Sequence, residues 1–126
     1  MRSKVTDVGA LILFTDKFEA VMKFYSAIGI PLEPEQHDDG PVHYACEIGL
    51  THFAVFESDS GSGPEFRSGG ISFSGFTVNS LEDALEAARS VHAEIVQQPT
   101  EHPWRRRALV KDPDGRIVEL FQRLIR

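Results

Sequence analysis

Ser58-Asp59-Ser60-Gly61-Ser62-Gly63-Pro64-Glu65-Phe66-Arg67-Ser68-Gly69-Gly70 stands near the middle of the chain. Nine of these thirteen residues are Ser, Gly or Pro, so the stretch has no apolar period to bury and reads as a linker. It divides the 126 residues into a first module, 1–57, and a second, 71–126. One domain built of two modules follows, because neither half alone is large enough to bury a self-sufficient core.

The two sides of the linker repeat one pattern. Phe18, Val21, Met22, Tyr25 and Ile28 recur at the spacing of one helix face, and Leu81, Ala84, Leu85, Ala88 and Val91 do the same. Each residue of the second set lies 63 positions after its counterpart, half of the 126. Capping-box patterns precede both helices: Asp16-Lys17-Phe18-Glu19 and Ser80-Leu81-Glu82-Asp83. Strand-like runs, 8–15 and 71–78, come before them. After the helices, Pro31 and Pro34 in one half and Pro99 and Pro103 in the other are expected to break the chain. Strand pairs then follow, 42–48 with 51–56 and 107–111 with 117–121. The second pair turns at Asp112-Pro113-Asp114-Gly115, where proline presets φ and glycine permits a positive one. Each half therefore reads β-α-β-β-β, and the fold class is α+β.

Strand alternation assigns faces. Leu11 and Leu13, Phe53 and Val55, Ser74, Phe76 and Val78, and Val118 and Leu120 should pack on the helices. The opposite faces then carry Ile12, Phe14, His52, Phe56, Phe73, Thr77, Ile117, Glu119 and Phe121. A mostly apolar and aromatic cleft with two polar groups, His52 and Glu119, suits a small molecule; the same surface could equally be core between the halves or a dimer interface.

Composition narrows the function classes. Nineteen acidic against thirteen basic residues give a net charge of −6, and the only basic cluster is Arg105-Arg106-Arg107. Nucleic-acid binding needs a broader basic surface. No apolar run is long enough to span a membrane. The one cysteine, Cys46, excludes an intrachain disulfide and fits a reducing, cytoplasmic setting. The basic start Met1-Arg2-Ser3-Lys4, followed by Asp7, does not read as a secretory signal.

Val78-Asn79-Ser80-Leu81-Glu82-Asp83-Ala84, Pro103-Trp104, the run from Lys111-Asp112-Pro113-Asp114-Gly115 to Leu120, and Lys23-Phe24-Tyr25 before Gly29 together resemble the vicinal oxygen chelate superfamily. That superfamily includes glyoxalase I, extradiol dioxygenases and bleomycin-resistance proteins. The resemblance implies two tandem βαβββ modules forming a cupped mixed sheet. Its metal-dependent members place ligands on the first, fourth, fifth and eighth strands, which here correspond to Ala10, Ala54 (or His52), Phe73 and Glu119. Alanine and phenylalanine offer no donor atoms, so the expectation is no metal and no cofactor.

The resemblance thus points to the metal-free branch: a protein that binds or sequesters a cationic or aromatic small molecule, as a homodimer. Its groove would be lined by Glu119, His52, Phe56, Phe73, Thr77, Trp104 and Phe121. Trp104 offers a flat surface for stacking, or anchors its loop. Glu119, in an apolar cleft, needs a partner, either His52, Arg106 or Arg107. The alternative is a lyase, isomerase or dioxygenase of the glyoxalase type, with non-standard or partner-completed ligands. A third reading is a domain that serves only association. Cys46 and His43 point to opposite strand faces and form no nucleophilic pair. His37 reads as an exposed loop residue, and His92 as a cation at a helix end.

Overall fold

The computed structural model describes residues 3–58 and 74–124. Most of the Ser/Gly-rich linker, and Phe73, lie outside the described residues. The elements run β1 (Ala10–Thr15), α1 (Phe18–Ala27), β2 (Glu33–Glu35), β3 (His43–Ile48) and β4 (Thr51–Glu57), then β5 (Ser74–Thr77), α2 (Leu81–Ser90), β6 (Ile95–His102), β7 (Arg105–Lys111) and β8 (Ile117–Arg123). They form two four-stranded sheets, ordered β1-β4-β3-β2 and β5-β8-β7-β6. In each, the first strand pairs in parallel with the last and the other pairings are antiparallel. The repeated βαβββ order is the fold expected from the 63-residue spacing.

The helix ends show the duplication at atomic detail. Gly29 follows α1 with φ +117°; its N–H bonds Ser26 O, and Ile30 N bonds Tyr25 O. His92, 63 residues on, follows α2 with φ +64°; its N–H bonds Arg89 O, and Ala93 N bonds Ala88 O. Both are Schellman caps, which need a left-handed residue. His92 occupies the place that glycine holds in the first module. Its left-handed backbone conformation closes α2 at that place.

The helix starts differ. The Ser80 hydroxyl accepts from Asp83 N at 3.2 Å, as the capping box predicts. The Asp16 box does not form: Lys17 is the cap and makes no side-chain cap bond, while Lys17 N donates to Thr15 Oγ1 at 2.9 Å. The buried Thr15 hydroxyl supplies the local acceptor instead. The expected breaks also need correction. Pro34 lies in β2, and Pro99 in β6, which runs through it with register shifts at Ile95/Gln97 and Gln97/Thr100. Both strands are outermost in their sheets, where a missing N–H disrupts no ladder.

The predicted strand faces hold. Leu13, Phe53, Val55, Val118 and Leu120 join Val21, Phe24, Tyr25, Leu81 and Leu85 in one core that draws on both modules. Burying each such side chain contributes about 1.5–3 kcal/mol. Tyr25, Phe53 and Phe76 meet in edge-on and tilted aromatic contacts, with centroids 5.3–6.3 Å apart. Phe24, which the helix spacing did not single out, is equally buried and packs edge-on against Tyr25.

A polar latch joins the modules. Asp112 is buried and accepts from Tyr25 Oη at 2.7 Å, from Arg116 Nη1 at 2.9 Å, and from the backbone of Asp114 and Arg116. Arg116 Nη2 continues to the carbonyl of Phe14 at 2.9 Å. Burial, then the Asp112 hydrogen bond, holds the Tyr25 phenol far above its ordinary range. The Asp112-Pro113-Asp114-Gly115 turn is thus more than a hairpin connection, because its carboxylates anchor the link to α1 and β1.

Candidate functional site

The core uses the helix side of both sheets, leaving the opposite faces to present the predicted site residues. On the second sheet, β8 places Glu119 and Phe121 beside Gly75 and Thr77 of β5. A Cβ at Gly75 would come within 3.0 Å of Glu119 Oε1, so glycine leaves room for the carboxylate. Glu119 is ion-paired with Arg107 Nε from β7, one of the expected partners. The guanidinium carbons of Arg105 and Arg123 lie 5.3 and 5.5 Å from the Phe121 ring centre, within cation–π range. Thr77 is exposed. Trp104, in the β6–β7 turn, is 62% exposed, and its carbonyl accepts from Leu124 N at 2.8 Å. It is not a packed loop anchor.

On the first sheet, β4 carries His52, Ala54 and Phe56, and β3 carries His43, Ala45 and Glu47 on the same side. The His43 ring is buried and stacks on Phe56 with centroids 4.0 Å apart. His52 Nδ1 bonds the Glu47 carboxylate, and this bond, with nearby acidic charge, raises the imidazole above its usual pKa. Glu35 of β2, opposite His43 in register, has its Oε1 within hydrogen-bond distance of His43 Nε2 at 2.9 Å and His37 Nε2 at 3.0 Å. The His43 bond is the main cause of a lowered Glu35 pKa.

Among the described residues, no hydrogen bond, ion pair or ring contact joins His52 or Phe56 to Glu119, Thr77 or Phe121. The two halves of the expected groove are carried by different sheets. The family's metal positions do not fit an ion here: Ala10 and Ala54 lack donors, Glu119 is held by Arg107, and Phe73 is outside the described residues. Cys46 lies on the helix side of β3, opposite in face to His43, and burial pushes its thiol pKa up. It is not a nucleophile paired with histidine. Glu35, His37, His43 and Glu47 were absent from the expected site. No described helix is long and apolar enough to cross a membrane.

Comparison with known proteins agrees with this architecture. A family model described as Glyoxalase/Bleomycin resistance protein/Dioxygenase superfamily matches residues 7–120. TioX from Micromonospora sp. ML1 is similar in structure, with a TM-score of 0.68 and 22% identity over 94% of this chain and 100% of that one. TnmS3, an antibiotic binding protein from Streptomyces sp. CB03234, gives a TM-score of 0.66 and 16% identity over 97% and 99%. A lactoylglutathione lyase from Agrobacterium tumefaciens gives 0.63 and 15% over 95% and 96%. At these identities the likeness is one of fold.

Proposed function

The chain belongs to the glyoxalase/bleomycin resistance protein/dioxygenase superfamily, and on that premise we propose that it binds or sequesters an aromatic small molecule, as a homodimer. One observation carries the reading. A single core consumes the helix side of both sheets, leaving the opposite face of each sheet outside it. The first face carries Glu33, Glu35 and Glu47; the second carries Arg105, Arg107 and Arg123. Opposite charge favours docking the first face of one copy on the second face of another. Two grooves per dimer result, each lined by His52 and Phe56 from one copy and by Glu119, Thr77, Phe121 and Trp104 from the other.

Exposed Trp104 and the ring of Phe121 supply stacking surfaces. Arg107 neutralises Glu119, so ring stacking contributes more than the Glu119 charge to holding a cationic ligand. The lack of donors at Ala10 and Ala54 tells against a glyoxalase-type metalloenzyme.

Light scattering at several salt concentrations tests the assembly, and titration with cationic 9-aminoacridine and anionic anthraquinone-2-sulfonate tests the groove. A dimer that weakens with added salt is expected, with quenching of Trp104, the sole tryptophan, by at least one probe. A chain that stays monomeric at tens of micromolar, with Trp104 emission unresponsive to both compounds, overturns the proposal.

A further inference from the structure

We propose that Glu35, His37, His43 and His52 form a binding site for a divalent transition ion of the zinc class, built within the first module alone. This departs from the expectation of no metal, and goes beyond the small-molecule reading. The donors converge on one carboxylate oxygen. Glu35 Oε1 lies 2.9 Å from His43 Nε2, 3.0 Å from His37 Nε2 and 3.5 Å from His52 Nε2. The donor atoms of Glu35, His37 and His43 all lie within 4.8 Å of one another. Ligands about 2.0–2.1 Å from a tetrahedral zinc stand roughly 3.3–3.4 Å apart. Small displacements of these side chains would therefore seat an ion between them.

The outer hydrogen bonds point the same way. His43 Nδ1 faces the carbonyl of Pro41 at 3.1 Å, and His52 Nδ1 faces the Glu47 carboxylate. Each oxygen can accept the Nδ1 proton, which leaves Nε2 as the nitrogen turned toward Glu35. Both Nε2 atoms lie on the Glu35 side of their rings, where an ion would sit. Oxygen partners that fix the tautomer and plane of a ligating imidazole are the usual support of metal-bound histidine. Stacking on Phe56 further fixes the His43 ring.

The framework is rigid where it must be. Glu35 and His43 are paired across β2 and β3, and His52 comes from the adjoining β4. His37 closes the set from a turn pinned by Gly40 N to His37 O at 2.8 Å and by Gln36 Nε2 to Gly40 O at 2.8 Å. Two imidazoles and one carboxylate form the mutual donor set, with the His52 imidazole 3.5 Å from the same oxygen as a fourth ligand; nitrogen-rich donors of this kind suit Zn²⁺, Ni²⁺ or Cu²⁺ over Mg²⁺ or Ca²⁺.

The test is titration of the chelator-treated full chain with Zn²⁺, in competition with 4-(2-pyridylazo)resorcinol, with Mg²⁺ as a parallel probe. One equivalent of Zn²⁺ per chain is expected, at submicromolar Kd, with no response to Mg²⁺. His37→Ala, at a side chain 72% exposed and so neutral to folding, and Glu35→Gln should each weaken binding at least tenfold. His102→Ala, at an exposed histidine outside the cluster, should leave it unchanged. Circular dichroism of each variant separates lost binding from lost structure. Substoichiometric Zn²⁺, or affinity unaltered by both His37→Ala and Glu35→Gln in folded protein, overturns the proposal and leaves protons as the bridges of the cluster.

Discussion

Replacing Tyr25 with Phe removes one oxygen and nothing else from the junction of the modules. That oxygen donates to Asp112 Oδ2 at 2.7 Å, and Asp112 is only 3% exposed. A hydrogen bond to a charged acceptor contributes about 1.5–3 kcal/mol, and water has little access to replace it. Arg116 Nη1 still reaches the same oxygen at 2.9 Å, so the carboxylate keeps its counter-charge and the lower half of that range applies. A loss of about 2 kcal/mol is expected, lowering Tm by roughly 6–10 °C in a domain of this size. Urea unfolding of Tyr25→Phe, Asp112→Asn and the double variant forms a thermodynamic cycle. The two single losses should sum to more than the double loss, by about 1 kcal/mol or more. A Tyr25→Phe variant within about 0.5 kcal/mol of the parent, or strictly additive losses, would refute the latch.

Three further outcomes are expected. His92→Gly should stabilise the chain by about 1 kcal/mol, because glycine adopts the left-handed cap of α2 without the penalty histidine bears; a fall in Tm would refute the cap assignment. Arg107→Met should cost about 1–3 kcal/mol in urea unfolding, since Glu119 is left without its cation at 13% side-chain exposure, and adding Glu119→Leu should recover much of that loss. The Cys46 thiol, raised above its ordinary value near 9 chiefly by burial, should be less than roughly a tenth thiolate at pH 8. Its alkylation by iodoacetamide should therefore lag behind free cysteine and keep accelerating as pH rises past 9; a rate that levels off below pH 8 would contradict the shift.

The architecture was legible because duplication leaves two copies of each signal. Helix faces 63 residues apart, alternating strands and the Pro-Asp-Gly turn each constrained the same answer. The errors fell where a single residue type permits two local solutions. Asp16 matched a capping box, but Lys17 is the cap and its N–H goes to the Thr15 hydroxyl. Pro34 and Pro99 looked like breaks, yet outermost strands tolerate proline. The outward residues of the second sheet were readable from alternation, and Arg107 was one of three partners expected for Glu119. The Glu35 cluster was not, because its members come from β2, a loop, β3 and β4. Only the register that sets Glu35 opposite His43 brings them together. A histidine on the outward face of β3 carries no local signature of its own.

Proline in the rim strands of both sheets also governs what the chain can do at high concentration. Pro34 in β2 and Pro99 in bulged β6 withhold amide donors where a foreign strand would otherwise zip on. Those rims are poor templates for runaway cross-β stacking.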